Sequence, residues 1–265
     1  MKVFVIDIDK CNGCFNCQIA CKDEHCGQSW LPFAEAQPET GQFWLKVDQK
    51  ERGQVPVVKV SYIPTLCNHC DNAPCMEAGQ KAVYRRDDGL VIIDPEKAKG
   101  LRGLVSSCPI GAIYYNDDLD IAQKCTGCAH LLENGWDVPR CVDACATGAL
   151  QYVERTEVDL SQATTLPELE GFGPKVYYLH YPQRFIAGAV IDFEKDEVVI
   201  GADVGLFDGD KPLAQTKTDF MGDFIFDQIE AKAYTVKVSA PGYDGLVVKA
   251  DVTDKDISLG DLGIN

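Results

Sequence analysis

The spacing of the cysteines constrains this chain more than any other feature of its sequence. All 13 cysteines of the 265 residues lie between Cys11 and Cys145, mostly in groups with three-residue spacing. The odd number, the close grouping and the lack of an export signal at the start of the sequence argue against a disulfide framework. Zinc sites and iron-sulfur clusters are the two alternatives that such spacing leaves open.

The first group has the C-x2-C-x2-C-x3-C spacing of bacterial ferredoxins and comprises Cys11, Cys14, Cys17 and Cys21. In that arrangement three cysteines of one tight loop bind a [4Fe-4S] cluster, and the fourth binds the other cluster of a pair. Gly13 gives the loop the backbone freedom to curl around the cluster. The spacing therefore predicts a second group that returns one cysteine to the first cluster.

A later group of four cysteines meets this requirement. It comprises Cys125, Cys128, Cys141 and Cys145. Under the crossing rule we expect cluster one to be bound by Cys11, Cys14, Cys17 and Cys145. Cluster two is then expected to be bound by Cys21, Cys125, Cys128 and Cys141.

A third group supplies Cys67, Cys70 and Cys75 but has Gly79 where a fourth cysteine would stand. Further along, the stretch Cys108-Pro-Ile-Gly-Ala-Ile113 repeats the Cys145-Ala-Thr-Gly-Ala-Leu150 close of the last group. The crossing rule then makes Cys108 the fourth ligand of cluster three.

A fourth cluster is missing as one complete set of ligands. Counting back from Cys108 by the ferredoxin spacing gives Leu104, Leu101 and Ala98, which together with Gly79 would be those four ligands. The other cysteines form three complete sets. We expect Leu101, Leu104 and Val105 to lie on a short helix whose apolar face fills the volume of the missing cluster.

Three features near the cysteines are interpreted structurally. Cys26 is expected to be a small buried hydrophobic residue, with a replacement ligand as the alternative if Cys108 cannot reach. His69 is expected to pack or to form a hydrogen bond near cluster three, because Cys75 completes the ligand set without it, with ligation of the cluster as the alternative. The run Asp23–His25 is expected to be a charged, solvated turn, and no other catalytic motif stands out.

A [4Fe-4S] cluster bound by four thiolates has no open coordination site, so three of them in one domain predict an electron relay. The formal net charge of -16 makes a nucleic-acid partner or an anionic membrane surface unfavourable. No apolar run reaches the roughly 20 residues that span a bilayer. We therefore expect a cytoplasmic protein without a membrane partner.

The four-group layout resembles the iron-sulfur subunits of the dimethyl sulfoxide reductase family of molybdopterin enzymes. The resemblance covers about residues 1–155 and includes Ala73-Pro-Cys75, the stretch from Tyr84 to Lys97, and the stretch from Cys108 to Ala112. It implies a heterodimer with a large catalytic subunit that carries molybdenum on two pterin cofactors. No catalytic residue is then expected in the present chain.

From Ile186 onward the sequence has no cysteine and consists of short runs of alternating apolar and polar residues between turns. The runs that predict strands are Ala187–Asp192, Val198–Phe207, Ala214–Phe220, Asp223–Asp227, Tyr234–Ser239 and Gly245–Asp251. This pattern predicts about seven strands in an antiparallel sandwich or small barrel. The stretch Thr218–Phe226, followed by Tyr234 and Ala240-Pro-Gly-Tyr243, resembles carboxypeptidase-regulatory and Cna-B domains. The predicted class is α+β, with a ferredoxin-like three-cluster domain (1–155), a connecting arm (156–185) and an all-β domain (186–265).

A three-cluster domain followed by this β domain is similar to the small subunits of enzymes that move hydroxyl groups between polyhydroxybenzenes. Two alternatives stay open at this point. One is the relay subunit of a soluble molybdopterin reductase or formate-oxidising complex. The other is a binding module in which zinc takes the place of the clusters.

Overall fold

The structure, a computed structural model, describes all 265 residues and divides the chain into two units. The first unit comprises Met1–Gln49 and Ser61–Tyr181, and the second comprises Lys50–Val60 and Pro182–Asn265. The segment expected to connect the domains therefore falls within the first unit as far as Tyr181. The 50–60 segment, by contrast, is grouped with the C-terminal strands.

The first unit combines short strands with four short α-helices. Its strands are β1 (Lys2–Asp7), β2 (Leu45–Gln54), β3 (Val57–Leu66), β4 (Val83–Arg85), β5 (Val91–Ile93), β6 (Ile113–Asn116), β7 (Ile121–Lys124), β8 (Leu150–Glu154) and β9 (Val176–Leu179), with β2 and β3 running on into the 50–60 segment. Its helices are α1 (Asn16–His25), α2 (Pro74–Gly79), α3 (Ala129–Glu133) and α4 (Arg140–Asp143). Turns of 3-10 helix lie at Ile8–Lys10, Gln80–Ala82, Arg102–Ser107, Arg155–Glu157 and Pro167–Leu169. No helix has both the length and the hydropathy needed to cross a membrane.

A three-stranded sheet in the order β8-β1-β9 lies at the centre of the first unit. Four consecutive apolar residues of β1, from Val3 to Ile6, are almost completely buried, as expected for a strand covered on both faces. Strand β8 pairs with β1 antiparallel, with Ile6 opposite Leu150, and β9 pairs with it parallel. The sheet therefore brings the beginning of the chain beside the residues that follow the last cysteine group.

Two hairpins complete the framework around the cysteines. In one, β4 pairs with β5, and in the other, β6 pairs with β7 with Ile113 opposite Lys124. The first hairpin turns at Gly89, whose φ of 89° suits glycine. One hydrophobic core holds residues of β1, the hairpins and many of the cysteines, and its largest buried side chains include Trp44, Phe4 and Tyr178.

The second unit is a two-sheet β structure. Its strands are β10 (Arg184–Asp192), β11 (Glu197–Val198), β12 (Asp203–Asp208), β13 (Lys211–Lys217), β14 (Asp223–Ile229), β15 (Ala233–Ser239), β16 (Leu246–Asp251) and β17 (Ile257–Gly263). One sheet has the order β11-β10-β14 with β17 also on β10, and the other has the order β13-β12-β15-β16. Alternating residues such as Val204 and Leu206 on β12 and Val236 and Val238 on β15 are buried in a core shared by both sheets.

The β-rich second domain is confirmed, with three differences in detail. The run Val198–Phe207, predicted as one strand, divides into β11 and β12 because Gly201 adopts a φ of 73° between them. The sequence pattern did not predict β17 at all. Strand β17 also pairs parallel with β10. The second unit is therefore mixed, whereas the sequence predicts a purely antiparallel arrangement.

We predict that Leu206→Ala lowers the free energy of unfolding of the second unit by about 2–5 kcal/mol, because it leaves a cavity at a position that is 1% exposed. Leu213→Ala on the neighbouring strand is the matched control, since Leu213 is 43% exposed. Denaturant unfolding of the full chain followed by circular dichroism measures the effect. All three tryptophans (Trp30, Trp44 and Trp136) lie in the first unit, so their fluorescence identifies its separate transition. Equal destabilisation by both variants would contradict the packing described.

Candidate metal centres

The pairing of β1 with β8 brings the first set of cysteines together. Cys11 follows β1 and Cys145 precedes β8, each equally far from the paired residues Ile6 and Leu150. The Cys11 thiol interacts electrostatically with Cys145 and Cys14, and the Cys17 thiol interacts with all three of them. The structure therefore brings the thiols of Cys11, Cys14, Cys17 and Cys145 near one another.

The second set lies where α1 packs against α4. Cys21 belongs to α1 and Cys141 to α4, while Cys125 and Cys128 follow β7. The Cys141 thiol interacts electrostatically with Cys128, Cys21 and Cys125. All four side chains are buried, so this set is closed to solvent.

The third set surrounds a cavity between α2 and the close of the third group. Its lining includes Cys67, Cys70, Cys75 and Cys108. Pro74 stands at the start of α2, where its missing N–H costs nothing, and directly precedes the buried Cys75. The structure thus brings together three sets of four thiols, each joining distant parts of the chain.

The three sets follow one another through the first unit. The Cys141 thiol of the second set also interacts with Cys17 of the first, and the Cys125 thiol of the second set interacts with Cys67 of the third. The second set therefore lies between the other two. Exposure also differs along this order, because Cys14 is exposed and Cys11 and Cys145 are half-buried, whereas the second set is buried.

The loops that carry the cysteines are shaped by backbone conformations that glycine favours. Gly13 has a φ of 69°, and a Cβ atom there would lie 2.5 Å from the ring of Tyr62. The loop between Cys11 and Cys14 therefore requires glycine for two independent reasons. Phe15, which precedes α1, has a φ of 61°, an uncommon value for a residue with a side chain.

The two repeated cysteine motifs close in the same way. Gly111 (φ 62°) donates its N–H to the Cys108 carbonyl at 3.0 Å, and Gly148 (φ 66°) donates to the Cys145 carbonyl at 3.1 Å. Nearby N–H groups point at sulfur: that of Ala112 is 3.4 Å from Cys108 Sγ, and that of Leu150 is 3.3 Å from Cys145 Sγ. Backbone donors at these sulfurs stabilise the thiolate form that binds metal.

The chemistry of the donor sets fits iron-sulfur clusters. Burial, followed by repulsion from neighbouring thiols, raises the pKa of Cys17 and Cys70 to about 12. Burial also raises the pKa of Cys125 to about 11 and that of Cys128 to about 12. Such thiols are protonated at neutral pH in the metal-free chain and release protons when metal binds. Each set also offers four cysteine thiols, which is the ligand number that a [4Fe-4S] cluster requires.

His69 lies beside the third set, where the sequence predicts that it packs or forms a hydrogen bond. It is 2% exposed, its Nδ1 accepts a hydrogen bond from the Val91 N–H at 3.0 Å, and it lines the cavity of the third set. That bond leaves the proton of the neutral ring on Nε2, which is buried without a partner in the chain. A buried donor of this kind requires an acceptor. The ring therefore fits the role of a donor towards an anionic group in the cavity.

The expectation that Asp23–His25 forms a solvated turn is wrong. These residues form the last turn of α1, and His25 is 1% exposed. Its Nε2 lies 4.0 Å from Cys128 Sγ, and its ring packs against Trp44 with 4.6 Å between centroids. The helical period could have revealed this, because a residue four positions after the buried Cys21 lies on the same face.

Cys26 belongs to none of the three sets. It is half-buried, not fully buried as expected, and its Sγ lies 3.9 Å from the Pro38 carbonyl oxygen. The hydrogen-bonding geometry at Pro38 places this thiol beside a loop that carries no other cysteine.

The volume predicted for a fourth cluster is filled by side chains. Ala98 and Leu104 are buried at 0% and 2% exposure, and Leu104 lies in the 3-10 helix Arg102–Ser107. A Cβ atom on Gly79 would lie 2.3 Å from Val83 Cγ2 and 2.9 Å from Leu104 Cδ2. Leu101, expected on the buried face, is instead 37% exposed because it precedes the helix. The side chains of Val83 and Leu104 therefore occupy the space in which a thiolate at position 79 would lie.

Comparison with known proteins agrees with this site. Residues 58–155 match the 4Fe-4S dicluster domain, and residues 186–259 match the carboxypeptidase regulatory-like domain. The pyrogallol hydroxytransferase small subunit of Pelobacter acidigallici is 37% identical, over 97% of this chain and 96% of that protein. A putative dimethyl sulfoxide reductase iron-sulfur subunit of Halobacterium salinarum is 30% identical, over 66% of this chain and 78% of that protein.

The chain belongs to the iron-sulfur subunits of the dimethyl sulfoxide reductase family. Another relative, a tetrathionate reductase subunit of Salmonella typhimurium, is 32% identical over 69% of this chain and 73% of that protein. As a member of this family, the chain is an iron-sulfur electron-transfer subunit and part of an enzyme complex. The predicted family and relay role are thereby confirmed.

We predict that Gly79→Ala lowers the free energy of unfolding of the first unit by about 1–3 kcal/mol, because the new methyl group collides with Val83 and Leu104. Gly103→Ala is the matched control, since a Cβ atom there meets nothing within 4 Å. Denaturant midpoints followed by tryptophan fluorescence measure both. The double variant Gly79→Ala/Val83→Ala should recover part of the loss. If Gly79→Ala unfolded at the same midpoint as Gly103→Ala, the volume would not be filled as described.

Proposed function

We propose that this chain relays electrons through three [4Fe-4S] clusters to or from a molybdopterin catalytic subunit. The observation that carries the proposal is the arrangement of twelve cysteines as three spatial sets of four, in sequence through one unit. We assign cluster one to Cys11, Cys14, Cys17 and Cys145. We assign cluster two to Cys21, Cys125, Cys128 and Cys141, and cluster three to Cys67, Cys70, Cys75 and Cys108.

Each cluster, when bound by four thiolates, supplies one-electron oxidation and reduction. The residues of the chain stabilise the charge on the cysteine sulfurs, exclude water and leave one cluster accessible. Backbone N–H groups of Ala112, Leu150 and Gly127 point at cysteine sulfurs and stabilise their negative charge. Burial of the second set excludes water from the middle of the relay. The exposed Cys14 lies where a redox partner can approach the first cluster.

The partner is proposed to be a large subunit that carries molybdenum on two pterins, with one copy of each chain in a heterodimer. The substrate class follows from the 37% identical pyrogallol hydroxytransferase small subunit, whose similarity extends over almost the whole of both chains. We therefore propose that the complex is a pyrogallol-phloroglucinol transhydroxylase. Its net reaction is redox-neutral, so the clusters are proposed to set or restore the oxidation state of the molybdenum. A cytoplasmic location stays a prediction from the cysteine chemistry.

A second candidate is the relay subunit of a molybdopterin reductase. The tetrathionate reductase relative, at 32% identity, favours it. In that case electrons enter the complex from an external carrier and pass through the clusters to the molybdenum, where the acceptor is reduced. The zinc-bound binding module is disfavoured because residues 58–155 match the 4Fe-4S dicluster domain.

Co-expression with the large subunit, under anaerobic conditions, separates these candidates. For the transhydroxylase we expect co-purification, molybdenum in the complex, and conversion of pyrogallol to phloroglucinol without added oxidant or reductant. A reductase instead consumes a reduced dye when its acceptor is supplied. Zinc without acid-labile sulfide in the purified chain would refute the relay altogether.

We predict that Cys108→Ser removes cluster three while the other two assemble. Iron and acid-labile sulfide should fall from about twelve to about eight of each per chain, because each cluster contains four. Cys26→Ser is the matched control and should retain about twelve, since Cys26 lies outside the three sets. Iron analysis and low-temperature electron paramagnetic resonance (EPR) spectra give the readout. Three intact clusters in Cys108→Ser with unaltered spectra would show that the assignment is wrong.

A further inference from the structure

A lysine is buried between the second and third cysteine sets. Lys124 is the last residue of β7, directly before Cys125, and it is 2% exposed. Its Nζ donates hydrogen bonds to the Val91 carbonyl and, at 3.0 Å, to the Cys125 carbonyl. Both acceptors are backbone carbonyls, and no carboxylate of the chain forms an ion pair with Lys124, although buried charges are normally paired.

The other buried lysine of the first unit forms the ion pair that buried charges usually have. Lys175 is 6% exposed, donates to the Gly89 carbonyl at 3.2 Å, and pairs with Asp71 at 2.9 Å. Its charge is therefore neutralised by a residue of the chain. Lys124 differs in having carbonyl acceptors alone, and two of them account for only two of the three ammonium donors.

The surroundings of Lys124 indicate where its counter-charge lies. It lines the same cavity as Cys67, Cys70, Cys75 and Cys108. Its positive charge acts on Cys75 and Cys108 of the third set and on Cys125 of the second. Four thiolates outweigh the positive charge of a cluster core, so each occupied set is an anion. Lys124 is thus a cation adjacent to two anionic sites.

A second, independent observation comes from His69 on the wall of the same cavity. Its buried Nε2–H has no acceptor in the chain, while its Nδ1 is held by the Val91 N–H. Val91 therefore anchors both donors, His69 through its N–H and Lys124 through its carbonyl. Two buried donors on one wall, neither matched by an acidic residue, require an anion in that cavity.

We propose that Lys124 is a positioning residue that serves as the shared counter-charge of clusters two and three and sets the potentials at which electrons pass between them. The proposal rests on the three-cluster function proposed above. A single electron moves in this step, so that one cluster is oxidised and the other reduced, with no proton or atom transferred. Because the ammonium is near both, it stabilises the added electron on each. Its removal should therefore lower both potentials together.

The test is an anaerobic redox titration of the purified complex, with the EPR signal of each cluster as the readout. In Lys124→Met and Lys124→Gln, the equilibrium constant for adding an electron should fall at clusters two and three by about tenfold, about 59 mV for a one-electron couple. Lys124→Arg keeps the charge and should keep both potentials near the original values. Lys175→Met, which removes a neutralised lysine, should leave all the potentials unchanged.

The outcomes separate this inference from the function on which it rests. Iron analysis of the unmodified chain comes first, and any count other than three clusters refutes the proposed function. With three clusters present, unchanged potentials in both neutral variants, or a shift at one cluster only, would overturn the shared role of Lys124. Loss of a cluster in both neutral variants but not in Lys124→Arg would support it, because charge is what they lack. Loss in all three variants would show a purely steric role and overturn it.

Discussion

The antiparallel pairing of β1 with β8 is the constraint on which the rest of the first unit depends. It joins the first strand of the chain to a strand near residue 150, and with Ile6 opposite Leu150 it places Cys11 beside Cys145. Because every cysteine set includes such a distant member, none can form before the chain has folded around it. Thiols whose pKa is raised by burial lose their protons when metal binds, so folding and cluster assembly are coupled in this unit.

The proposed cysteine sets follow from the sequence, because local spacing and one crossing rule predict them. Their environment could not be predicted, since it depends on residues that are far apart along the chain. His25 looks like part of a charged run, and only the packing of Trp44 and Cys128 around it shows that it is buried. Lys124 has no distinguishing pattern at all, because its significance comes from the Val91 carbonyl and from the absence of a carboxylate.

The same limit applies to the fold. The alternating runs after Ile186 indicated a β domain, but Ile257–Gly263 was missed because its pattern is irregular, with glycines at two positions. The 50–60 segment lies in the middle of the cysteine-rich half of the sequence and yet is grouped with the second unit, where Lys59 pairs with Asp227 at 2.5 Å and Arg52 with Asp256 at 3.5 Å. These ion pairs join residues at least 168 positions apart, so no local pattern in the sequence could reveal them.

An electron added to a buried anionic centre is opposed by burial and by the surrounding negative charge. The whole chain has a formal net charge of -16, so its average electrostatic field works against reduction. The groups that favour reduction must therefore act locally. In this structure they are backbone N–H groups at Cys108, Cys125 and Cys145, and a buried ammonium between two of the cysteine sets. Local donors act over a few ångströms and are not screened when buried, whereas surface carboxylates are largely screened by solvent and salt. The net charge can thus suit solubility while the interior is organised independently for electron transfer.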